Sequence, residues 1–158
     1  MIRIVCLLLL IPVLLAPPAA TADDQTELIA KIDGCIGRIS SPADHADLCM
    51  GVHVDPCTRA EGGDTTQAMV ACINTEITAW ETVMERELAN LRTRLDDEQT
   101  GVLHAAQRAW VAFRTADCEF PHVFVRGTLS QPWAADCIMQ HTARRALELR
   151  SFIDYLEY

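Results

Sequence analysis

Of seven cysteines, Cys6 lies in the apolar N-terminal run, and the other six, Cys35, Cys49, Cys57, Cys72, Cys118 and Cys137, offer this chain two chemistries: bridging one another, or binding a metal as thiolates. Neighbours in sequence suggest the bridges Cys35–Cys49, Cys57–Cys72 and Cys118–Cys137, with other pairings left open by spacing alone. Each closes a loop of roughly 15 to 20 residues, worth about 3 kcal/mol in the chain-entropy account. The zinc alternative rests on His45-x-x-x-Cys49 and His53-x-x-x-Cys57, since residues four apart share one face of a helix. No Cys-x-x-Cys accompanies them, so bridges are the preferred reading, and neither a metal nor a cofactor is expected.

Other catalytic patterns are sparse. A nucleophilic site needs a serine or cysteine beside a histidine and an orienting acid, and no Gly-x-Ser-x-Gly occurs. Glu76, Glu81, Glu85 and Asp117 lie near aromatic residues, the setting in which a carboxyl works on a glycosidic bond. Exposed helix carboxylates are far commoner than catalytic ones. Phosphate loops and dinucleotide fingerprints are missing too. The chain reads as a binder and not as an enzyme.

The densest polar cluster is Gln107-Arg108-Ala109-Trp110-Val111-Ala112-Phe113-Arg114. Helical spacing puts Trp110 and Phe113 in a core, with Gln107 and Arg114 on its edge. An arginine there needs partners, and Asp117, Glu76 or a loop carbonyl are the candidates.

The cysteine reading requires an oxidising compartment. Arg3, an apolar run from Val5 to Leu15 and Ala20-Thr21-Ala22 form an export signal with its cut near Ala22. That run is about half the roughly 20 residues a spanning helix needs, so stable membrane insertion is not expected. Residues 1–22 are therefore assigned to a signal peptide and 23–158 to a periplasmic or secreted domain. The net charge of −9 falls to about −10 without Arg3, and Lys31 is the only lysine. Such acidity disfavours nucleic acid and suits a basic partner.

These residues must be held by helices. Apolar residues at Leu28, Ile29, Ile32 and Ile36 predict a short helix over 26–39, weakened by Gly34 and Gly37. Another turn or two is expected over 42–50. Gly62-Gly63 separates this stapled region, 23–63, from a bundle over 64–158. Asp64-Thr65-Thr66 offers N-cap oxygens to a long helix running to about Leu95, with Met69, Ile73, Ile77, Trp80, Met84, Leu88, Leu91 and Leu95 as its stripe. Asp96 or Asp97 caps the next helix, with Leu103, Ala106, Trp110 and Phe113 inward and an end near Cys118. A crossover of about a dozen residues follows, marked by Pro121 and Gly127. The last helix starts at Ser130 or Gln131 and turns Ile138, Thr142, Ala146, Leu149, Ile153 and Leu156 inward. The expected fold is all-α, an antiparallel bundle of three long helices with a small helical cap.

Ala106-Gln107-Arg108-Ala109-Trp110-x-x-Phe113-Arg114-x-x-x-Cys118, followed by Cys137-x-x-x-x-Thr142-x-x-Arg145-x-x-x-Leu149, resembles the LprI-type lysozyme inhibitor family of bacterial envelope proteins. Thr66-Gln67-x-Met69-x-x-Cys72-x-x-x-Glu76-x-x-x-Trp80-Glu81 resembles the opening of the same domain. The resemblance implies an exported helical domain with lysozyme binding as its activity. Gln107, Trp110, Phe113, Arg114, Thr142 and Arg145 are then motif residues with structural roles. The 119–136 crossover, preorganised by a Cys118–Cys137 bridge, is the candidate partner surface through Glu119, His122 and Arg126. The alternative function is an envelope binding module without effect on lysozyme.

Overall fold

Wherever apolar residues recur at steps of three and four, the chain is helical. A computed structural model describes residues 22–39 and 46–157. It contains α1 (Ala22–Ile36), a 3-10 turn (Ala46–Cys49), α2 (Val54–Arg59), α3 (Thr66–Arg92), α4 (Asp97–Phe124) and α5 (Ser130–Leu156). No strand occurs among the described residues. Residues 1–21 of the proposed signal peptide, and His45 of one zinc reading, lie outside them.

Local chemistry sets the helix starts. Thr65 accepts from the Ala68 backbone N–H at the head of α3. Asp96 and Gln99 form a reciprocal capping box at the head of α4, at 2.8 and 3.1 Å. The crossover after α4 is shorter than expected, because α4 runs past Cys118 to Phe124. Pro121 sits one turn from the helix end and the helix continues through it: the missing N–H costs one backbone bond to Asp117, while the Val125 N–H still closes onto the Pro121 carbonyl at 3.0 Å. Phe120 and Phe124, one turn apart, stack with centroids 5.4 Å apart. Gly127, at φ +89°, then turns the chain into α5.

The core lies between α3 and α5. Ile73, Ile77, Trp80, Val83, Met84, Leu88 and Leu91 of α3 meet Met139, Ala143, Ala146, Leu147, Leu149 and Ile153 of α5, all buried. Leu28, Ile32 and Ile36 of α1 close one side of this core. The helix α4 is different: it rests chiefly on α5, and Cys118 is its one fully buried side chain. Leu103 and Trp110 are partly buried against the core, whereas Ala106 and Phe113, expected inside, face out. Phe113 is 53 % exposed. A helix lying on a single neighbour buries a narrow stripe, and these two residues fall beside it.

Three disulfides, Cys35–Cys49, Cys57–Cys72 and Cys118–Cys137, staple the fold. The first ties α1 to the 3-10 turn and the second ties α2 to α3. The third joins α4 to α5. With Cys57 bridged, its zinc reading with His53 lacks a free thiolate. Arg86 of α3 adds a bidentate pair with Asp33 of α1, at 2.7 and 2.8 Å, and also bonds buried Glu87. Hydrogen bonding to Asp33, with Glu87 adding to it, outweighs burial and raises the Arg86 pKa above its ordinary value.

Candidate functional site

The motif residues form a polar seam between α4 and α5. Arg145, nearly buried, donates to Gln107 Oε1 at 3.0 Å and to Glu148 at 2.8 Å. Gln107 in turn points its amide nitrogen at the Met84 sulfur, 3.5 Å away on α3. Two turns along, Arg114 donates to Thr142 Oγ1 at 2.7 Å and to Glu81 at 3.3 Å. Its guanidinium lies 4.9 Å from the centre of the Trp110 ring. The partners expected for Arg114, Asp117 or Glu76, are therefore replaced by Thr142 and Glu81.

Asp117 instead meets His141, with Oδ2 and Nε2 2.8 Å apart. The edge of Phe113 packs on the same His141 ring, at 5.2 Å between centroids. Gln107, Trp110, Arg114, Thr142 and Arg145 thus fall on one continuous seam, and Phe113 lies at its exposed margin against His141. The seam substitutes directional bonds for the apolar burial that α4 lacks.

Beyond the seam, the α4–α5 end is pinned by Cys118–Cys137. Glu119 and His122 stand on α4 itself and line one shallow groove with Arg114 and Ile138. Arg126 is exposed in the connecting turn, apart from them. The opposite flank holds a groove of ≈ 620 Å³, floored by Met69, Ile73 and Pro132 and edged by Asp117, His141 and Arg144. Around this end Phe120, Val123, Phe124, Leu129 and Trp133 are all more than half exposed. Sequence reading passed over Leu129 and Trp133. The available signal was two large apolar residues flanking a turn and a proline, off the inner stripe of α5.

Glu76, named above as a carboxylate near aromatic residues and as a partner for Arg114, has a different role. It is fully buried among the apolar residues of α3, where its carboxylate accepts from the backbone N–H groups of Gly51, His53 and Val54, at 2.7, 2.9 and 2.9 Å. Trp80 Nε1 donates a fourth bond at 3.2 Å. The signal was plain: an acid within an otherwise apolar stripe must have donors waiting for it. A carboxylate so saturated is a structural socket. Among the described residues, Cys118, Cys137 and His141 also come within metal-binding distance of one another. Both sulfurs are bonded to each other, which leaves the imidazole without thiolate companions.

What this arrangement can do is bind: a rigid, stapled end with exposed apolar residues and a charged margin. No helix among the described residues is long and apolar enough to cross a membrane, and the disulfides fit an exported protein. No curated protein and no solved structure matches the chain. The family model described as lysozyme inhibitor LprI matches residues 57–149, which is more than half of the sequence and includes α3, α4, the seam and two of the three bridges. The chain belongs to the LprI lysozyme inhibitor family.

Proposed function

We propose that this protein, exported after cleavage near Ala22, binds lysozyme and inhibits it by covering its glycan cleft. Membership of the LprI family carries this reading. The geometry supplies a means: Trp133, 57 % exposed, and Leu129 project from the stapled α4–α5 end as apolar anchors. Glu119 and His122 form a polar margin along one flank. A turn held by a disulfide and capped by two helices loses little freedom on binding, which favours affinity. The net charge of −9 steers the protein toward lysozymes of the animal type, which are strongly basic.

The test is a lysis assay: oxidised protein is titrated against several lysozymes with turbidity of a cell-wall suspension as readout. Lysis slows in proportion to added protein, and Trp133→Ala weakens the effect about tenfold or more. Unchanged lysis by every lysozyme, at protein concentrations well above enzyme, would rule out inhibition. N-terminal sequencing of exported material checks the cleavage position.

A further inference from the structure

The helix α4 carries a second apolar stripe that stays largely exposed, although the edge of Phe113 meets the His141 ring. Val102, Ala106, Ala109, Phe113, Ala116 and Phe120 follow one another at alternating steps of four and three, the spacing of a coiled-coil seam. All six are exposed, Val102 by 65 % and Phe120 by 67 %. The inner stripe of the same helix, Leu103, Gln107, Trp110, Arg114 and Cys118, is the one that faces α5. A monomer rarely leaves an apolar band of this length in water.

We propose that this outer face pairs with its own copy, the two α4 helices running antiparallel about a two-fold axis level with residue 111. In that register Val102 meets Phe120, Ala106 meets Ala116, and Ala109 meets Phe113 of the second copy. The central and outer pairs set a smaller side chain against a larger one, which lets the helices close without a gap. Parallel pairing would stack Phe113 on Phe113 and Phe120 on Phe120, and leave Ala106 and Ala109 facing alanines across a void.

Charge favours the same arrangement. Asp96, Asp97 and Glu98 stand at the start of α4 and Arg126 just beyond its end. The antiparallel register brings Glu98, on the outer face of the first turn, toward Arg126 of the second copy, whereas a parallel one would stack acid on acid in a chain already at −9. The area is sufficient. Phe113, Phe120 and Phe124, each more than half exposed, offer about 300–400 Å² of side-chain surface. With Val102, Val123 and the alanines, each copy buries on the order of 600 Å² or more, enough for a total of about 1,200 Å², the lower edge of stable interfaces. The contact is self-complementary and closes as a symmetric dimer.

Sedimentation equilibrium of the oxidised protein tests this directly, with a dimer mass expected at about 100 μM and dissociation on dilution. Ala109→Arg puts two unpaired charges at the centre and should weaken self-association about tenfold or more, with the far-UV circular dichroism unchanged. Arg126→Glu should weaken it as well, and adding Glu98→Arg to that variant should restore it. A monomer mass throughout, or a dimer indifferent to Ala109→Arg, overturns the proposal. Restoration failing in the double variant overturns the antiparallel register. None of these readouts involves lysozyme, so the dimer and the inhibition stand or fall separately.

Discussion

The indole nitrogen of Trp80 donates to Oε1 of Glu76, one helical turn earlier on α3, and both side chains are sealed from water. The same carboxylate gathers three backbone N–H groups from the 51–54 turn. Gly51 reaches it with φ +84°, a conformation that side chains disfavour. One buried acid therefore fastens the stapled cap onto the bundle.

Removing that acid should be costly. Glu76→Ala leaves four buried donors without an acceptor, at about 1–3 kcal/mol for each that water cannot reach. A destabilisation on the order of 3 kcal/mol or more is expected, seen as a lower urea midpoint with an unchanged slope. Glu76→Gln should lose less, since one oxygen survives. A midpoint unmoved by Glu76→Ala would show that the socket contributes nothing.

Gly63 is packed against the backbone of Cys57 and Thr58, where a β-carbon would collide with their carbonyl groups. Gly63→Ala must push α2 from its place beside α3. The expected loss is about 1–3 kcal/mol, and thermal unfolding reads it. Gly62→Ala, with φ +77° but open space around it, isolates the conformational part of the effect.

The Cys118–Cys137 bridge should matter locally as well as globally. Replacing both residues by serine removes about 3 kcal/mol in the chain-entropy account. Because Cys118 is the buried anchor of α4, amide exchange should accelerate chiefly over 119–133 and leave α3 slow. Uniform acceleration across the bundle would contradict a local role.

The seam makes a claim about coupling. Gln107 and Arg145 share a 3.0 Å bond at the edge of the core. A double-mutant cycle with alanine at both positions should return an interaction of about 1 kcal/mol or more. Additive single effects would mean that the two residues act independently.

Electrostatic steering predicts a salt dependence for lysozyme inhibition. Raising ionic strength from about 0.05 to 0.3 M shortens the screening length and should slow association while leaving dissociation little changed. An association rate indifferent to salt would place the attraction elsewhere.

The helices and the staples could be read before any coordinates. Leu28, Ile32 and Ile36, or Ile73, Ile77, Trp80 and Met84, repeat at a spacing that only a helix can turn to one side. Cysteine pairs about 15 to 20 residues apart bridge their neighbours because short loops close most readily. Asp64-Thr65-Thr66 and Asp96-Asp97 advertise caps, since hydroxyl and carboxylate oxygens serve the free N–H groups of the next turn, and Thr65 and Asp96 take the role. All of this is local chemistry, carried within a few turns of chain.

Which side of α4 would be covered was not local. Phe113 belongs to the outer stripe because α4 rests chiefly on α5, and the same heptad spacing serves two stripes on one helix. Pro121 marked a break by type, yet the helix runs on to Phe124 at the cost of one backbone hydrogen bond. An acid within the apolar stripe at Glu76 called for donors, but which ones was decided only when the 51–54 turn folded over it, for they lie more than 20 residues away. Hydrogen-bond partners for buried charge come from distant segments, and only packing decides which segments meet.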